Sequence, residues 1–123
     1  MSCYCGKESQ YTECCEPYIQ GEAVAPTAEA LMRSRYSAYC VSAVDYLITT
    51  THSRTRRFHK AKDIAAWSKE NHWLQLKIVA STATTVTFIA YYLDTLGRTI
   101  AHKEHSRFAM ENGLWYYVDG DFA

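Results

Sequence analysis

"HWLQLKIVASTATTVTFIAYYLDTLGRTIAHKEHSRFAMENGLWYYVDGDF", residues 72–122, dictates the architecture. It is dense in β-branched and aromatic side chains, which suit a pleated, half-buried surface, and it is interrupted by turn signals at "STAT", "DTLG" and "ENG". The pattern predicts an antiparallel meander of strands over residues 73–81, 84–93, 98–110 and 114–119. Upstream the periodicity changes. After Pro26, Thr27 is a candidate N-cap for "AEALMRSRYSAYCVSAVDYLITT", with Glu29 in the first turn where the helix dipole favours an acid. Leu31, Arg35 and Tyr39 follow at helical spacing, as do Met32, Tyr36 and Cys40, which predicts one long helix or two meeting near Ser42. "THSRTRRFHKAKD" has no apolar period and reads as loop, and "KDIAAWSKEN" reads as a short helix carrying Ile64, Trp67 and Ser68 on one side. Helices followed by a meander imply an α+β domain with the helices packed on one face of the sheet.

The length of 123 residues fits one compact domain plus at most a short appendage. An apolar fraction of 48% with 21% charged residues is that of an ordinary globular protein. Thirteen basic residues balance thirteen acidic ones, so no overall field draws the chain to nucleic acid or an anionic membrane. No apolar run reaches membrane-spanning length, and the polar start has no signal-peptide character. A cytoplasmic location is expected.

Residues 1–21 form a separate block with little apolar period but four of the five cysteines: Cys3, Cys5, Cys14 and Cys15. In a reducing compartment such a cluster points to metal before disulfides. Four thiolates satisfy tetrahedral zinc, and a closed site of this kind is usually structural. Cys3 and Cys5 are two apart, so an extended segment aims both to one side, and Gly6 lets the chain turn away. Adjacent Cys14 and Cys15 converge only if a tight turn or a helix start intervenes, which makes Cys15 the weakest ligand on geometry alone. Cys40, inside a helix, is expected to be a small buried group outside the site. His52, His59 and His72 lack ligand spacing.

The pattern C-x-C-x8-C-C, with Gly6, Tyr11 and a loop lysine, resembles the SEC-C motif at the C-terminal tail of SecA. "LMRSRYSAY", residues 31–39, and "WYYVDG", residues 115–120, extend the likeness to the YchJ family. That resemblance implies a zinc knuckle over residues 1–21 joined to a nuclear transport factor 2-like (cystatin-like) domain over residues 22–123, a cone of helices against a bent four-stranded sheet. It places ligands on Cys3, Cys5, Cys14 and Cys15, and it carries no established activity. Some relatives have a second cysteine motif at the C-terminus; here one motif is present.

No catalytic set is assigned. On the third strand Ile100, His102, Glu104, Ser106 and Phe108 share one face, so Glu104 is the one candidate general base, with His102, Tyr36 or Tyr39 beside it. The favoured alternative is an ion pair from Glu104 to Arg33 or Arg35 that ties helix to sheet. Ser106 is expected to hydrogen-bond locally. The leading expectation for function is a zinc-binding cytoplasmic adaptor with a protein partner. The second is a small-molecule enzyme or carrier using a pocket near Glu104. RNA binding through the basic stretch at residues 54–62 ranks behind both, since solvated loops of this composition are common. Metal removal is expected to unfold the knuckle and largely spare the domain.

Overall fold

The computed structural model describes residues 2–122. A single 3-10 turn at Tyr11–Glu13 leads into α1 (Glu16–Ile19), then α2 (Ala28–Cys40), α3 (Val44–Thr49), α4 (Ser53–Arg56) and α5 (Ala61–Glu70). The meander follows as β1 (His72–Ser81), β2 (Thr85–Leu93), β3 (Thr99–Glu111) and β4 (Leu114–Phe122), paired antiparallel in the order β1-β2-β3-β4. The α+β reading holds. No helix among these residues is long and apolar enough to cross a membrane.

Local chemistry accounts for the element ends. The Thr27 hydroxyl accepts from the Ala30 amide at 3.0 Å, the side-chain cap expected of that residue. The long apolar run breaks where Ser42 takes φ 56°, a left-handed geometry that ends α2 and redirects the chain into α3. "ENG" makes the tightest hairpin: Asn112 (φ 53°) and Gly113 (φ 80°) both sit at positive φ, as a two-residue turn matched to strand twist requires. The basic stretch departs from its loop reading. Its first residues form α4, where the His52 ring nitrogen Nδ1 accepts from the Arg54 amide.

Irregularities at Trp73/Gln75 and Ile78/Ala80 in the β1–β2 ladder and at Arg107/Phe108 in the β3–β4 ladder bend the sheet. Its concave face receives α2, whose Leu31, Met32 and Tyr36 pack with Leu76, Val86, Phe88, Ala90 and Phe108 in one buried cluster. Cys3, Cys5 and Cys15 belong to that same cluster. α5 closes the open end, with Trp67 edge-on to Tyr39, Trp73 and Tyr92. β4 runs three residues past its predicted end, to Phe122, and this extension lays Gly120 opposite Ser106.

Candidate metal centre and adjoining pocket

The four N-terminal cysteines converge. Gly6 donates its amide to the Cys3 carbonyl at 3.2 Å and takes φ 94°, so the chain reverses directly after the first pair. The Cys3 amide in turn donates to the Ser9 carbonyl at 2.7 Å, which closes the loop. The second pair is aligned by the two devices that adjacent ligands need. The 3-10 turn ends at Cys14, whose amide donates to the Tyr11 carbonyl at 3.1 Å, and Cys15 is the N-cap of α1, accepting from the amides of Tyr18 and Ile19. A helix start thus brings Cys15 into the group of sulfurs.

All four sulfurs lie within 4.8 Å of one another, with Cys5–Cys14 at 3.6 Å and Cys14–Cys15 at 3.9 Å. Zinc–sulfur bonds of about 2.3 Å in a tetrahedron place sulfurs about 3.8 Å apart. The donor set therefore fits one tetrahedral metal ion. Electrostatics agree: a hydrogen bond from Cys15 draws the Cys5 thiol down to about 5, whereas burial pushes Cys14 up to about 12 and hydrogen bonding to Cys5, with burial, pushes Cys15 up as well. One thiolate forms readily here, and further ones need a cation to offset their mutual repulsion. Cys40, half-buried in the last turn of α2, stands outside the group.

α2 holds this cluster from below. Ser37 presents its hydroxyl 3.6 Å from the Cys3 sulfur, and Arg33 donates to the Cys5 carbonyl at 2.7 Å while pairing with Glu29. Two residues along a helix is more than half a turn, so Arg35 emerges on the other side, under the sheet. The predicted ion pair between Glu104 and either arginine does not form. Arg33 is committed to the cysteine loop, and Arg35 donates to the Leu47 carbonyl at 2.9 Å and the Thr50 hydroxyl at 2.7 Å near the C-terminal end of α3. Its guanidinium also lies over the Tyr117 ring, 4.6 Å from the centroid.

Glu104 is buried and held by neutral donors and a histidine instead: Ser106 Oγ at 2.5 Å, Tyr117 Oη at 2.8 Å and His102 Nε2 at 3.2 Å. Ser106 thus bonds locally, as expected. Burial pushes the Glu104 carboxyl up, but these three donors outweigh it and hold the group below its ordinary value. Tyr117 is displaced upward by burial and by the Glu104 charge, so it remains a donor. The folded pKa of Glu104 lies below the unfolded one, so the stability it contributes is complete above about pH 4.5 and is lost as pH falls through the folded value. Urea unfolding between about pH 3 and 6 should show a steeper acid loss in the wild type than in Glu104→Gln. Acid release of a thiolate-bound metal affects both proteins alike and cancels in the difference.

Around Glu104 lies a chamber of about 240 Å³ lined by Arg35, Tyr39, His59, Trp67, Phe88 and Tyr117, among others. His59, read from sequence as a scattered loop residue, stacks edge-on against Tyr117 and borders this chamber. Burial, reinforced by Arg35, lowers its pKa and keeps the imidazole neutral. Gly120 is the other residue that sequence reasoning passes over. A Cβ there would collide with the Glu104 side chain, so the glycine in "VDG" is what admits the carboxylate. His52 pairs with Glu111 on the far side of β4, and His72 starts β1. In the basic stretch, Arg56 and Arg57 turn back onto the carbonyls of Thr51 and Arg54, while Phe58 is exposed beneath Arg57.

The family model described as "YchJ, middle NTF2-like domain" matches residues 27–120. A curated relative, the UPF0225 protein YchJ of Shigella dysenteriae serotype 1 (strain Sd197), is 40% identical over 124 residues, which cover 96% of this chain and 81% of that protein. The solution structure of a SEC-C motif containing protein from Rhodopseudomonas palustris superposes with a TM-score of 0.92 at 34% identity, covering 100% of this chain and 99% of that one. The crystal structure of another SEC-C motif containing protein, from Psychrobacter arcticus, gives 0.81 at 27% identity over 100% of this chain and 83% of that one. With its cysteine cluster leading into a nuclear transport factor 2-like domain, the chain belongs to the YchJ family.

Proposed function

We propose that this protein is a cytoplasmic adaptor whose first 21 residues are folded into a knuckle by one structural zinc ion on Cys3, Cys5, Cys14 and Cys15, carried by a second unit over residues 22–123. The observation that supports it is the convergence of four thiols, three of them buried, at separations suited to a tetrahedral ion. A site closed by four protein ligands leaves no open position for substrate, which favours a structural over a catalytic metal. Tyr4, half-exposed and edge-on to Tyr11 at 5.2 Å, gives the knuckle a rigid aromatic for contact with a protein partner. The SEC-C motif of the SecA tail, a chaperone-docking element, supports a partner of that class.

The purified, untagged chain should carry one zinc by elemental mass spectrometry, with four thiols becoming titratable only after chelation. A Cys3→Ser, Cys14→Ser variant should lose the ion. Retention of a full equivalent by that variant would remove these residues as ligands. For the adaptor role, a bacterial partner captured by the wild type should be lost with Tyr4→Ala at unchanged zinc content. Equal capture would move the interaction off the knuckle.

A further inference from the structure

Arg35 brings a positive charge under the sheet. It is 5% exposed, and the acceptors it reaches are all neutral: the Leu47 carbonyl and the hydroxyls of Thr50 and, at 3.4 Å, Thr51. Those bonds use only Nη1. Among the described residues Nε and Nη2 have no protein acceptor and stay open to solvent, one face of the guanidinium rests on the Tyr117 ring at 4.6 Å, no carboxylate lies within ion-pairing distance, and the residue borders the chamber of about 240 Å³. A buried guanidinium without a counter-charge is costly, and a bidentate oxyanion is its natural complement. The other charge facing this space is Glu104, whose carboxylate is already answered by Ser106, Tyr117 and His102. The chamber therefore holds an anion whose donors are in place and a cation with two nitrogens still free to donate.

We propose that this chamber, between α2, α5 and the concave face of the sheet, is a receptor for a small aromatic carboxylate. Its carboxylate meets Arg35 and its ring packs among Tyr39, Trp67 and Phe88. Size and lining select the class. A dry cavity of about 150 Å³ is known to admit benzene, so 240 Å³ accommodates one ring with a small polar head. The walls are aromatic edges and faces set by the Tyr39–Trp67 contact at 5.3 Å, which suit a flat ring better than a flexible aliphatic chain. The neutral His59 imidazole at the rim adds no second cation, so a monocarboxylate is matched better than a dianion. Glu104 contributes repulsion to such a ligand, so its removal should help binding.

The test titrates the full-length chain, as purified, with benzoate, with its neutral isostere benzamide, and with inorganic phosphate. The Trp67 indole N–H is followed by NMR, with Trp115 as internal control because it is anchored elsewhere, on the Pro26 carbonyl. Benzoate should saturate in the millimolar range or below, as expected for so few heavy atoms, and should shift Trp67 while leaving Trp115 in place. Benzamide should bind about ten-fold more weakly, the loss of one charge-assisted contact. Glu104→Gln should bind benzoate more tightly and Arg35→Gln at least about ten-fold more weakly. If Arg35→Gln does not fold, the benzoate–benzamide ratio on the wild type decides alone. Equal binding of the two, no saturable benzoate binding below about 20 mM, or binding of phosphate while benzoate is inert would each overturn the assignment.

Discussion

For the proposed zinc site, chelation is expected to lower the midpoint of thermal unfolding of the whole chain by about 10 °C or more, and not merely to loosen its first residues. Structural zinc sites in small modules are worth on the order of 10 kcal/mol of apparent binding free energy, and that energy is folding energy where the site does not preform. Sequence reading alone suggests a knuckle that could unfold and spare the domain. The contacts argue otherwise: Cys3, Cys5 and Cys15 are buried in one cluster with Leu31, Met32, Phe88 and Phe108. α2 reaches the loop through Ser37 and Arg33. Losing the knuckle uncovers one side of that helix, and a loss of about 3 kcal/mol is enough to shift a chain of this size by about 10 °C. Calorimetry with and without chelator, with the free-thiol count recorded in parallel, measures it. Four newly titratable thiols with an unchanged midpoint would mean that the cysteine loop is energetically separate.

Gly120→Ala is the second large effect, although it adds one methyl group. The built Cβ would lie 2.7 Å from Cδ and 2.8 Å from Cγ of Glu104, well inside contact distance. Glu104 cannot turn aside without leaving Ser106, Tyr117 and His102, and the carboxylate would then be buried without its donors. Breaking such a network costs about 3 to 5 kcal/mol. The alternative is to separate β3 from β4 at the Ser106–Gly120 pair, which sacrifices ladder hydrogen bonds. Denaturant unfolding should show a loss of about 3 kcal/mol, and Glu104→Ala combined with Gly120→Ala should cost less than the sum of the two single changes. A Gly120→Ala variant within about 1 kcal/mol of the wild type would show that the carboxylate relocates freely.

Both predictions concern residues whose importance depends on what faces them across the fold, and this marks the limit of legibility. Strand identity, the α2–α3 break at Ser42, the Thr27 cap and the "ENG" turn are governed by interactions within a few residues. Each is readable in sequence. The alternation that puts Glu104, Ser106 and Phe108 on one face of β3 holds because that strand's ladder with β2 is regular. The cysteine set is readable for a similar reason, since a thirteen-residue loop limits where four thiols can go.

The order of residues along the chain is therefore enough to establish the α+β succession of elements, the apolar face of the meander and the grouping of Cys3, Cys5, Cys14 and Cys15. Long-range packing supplies the rest. It sends Arg33 to the cysteine loop and Arg35 to the end of α3, brings His59 to the chamber, and lays Gly120 beneath Glu104. Helical phase separates the two arginines, but which one meets which acceptor depends on where α3 and the cysteine loop dock, a matter of contacts far apart in the chain. Periodicity and turn chemistry describe neighbours along the backbone, whereas a buried charge is assigned its partner by the closure of the sheet over the helices.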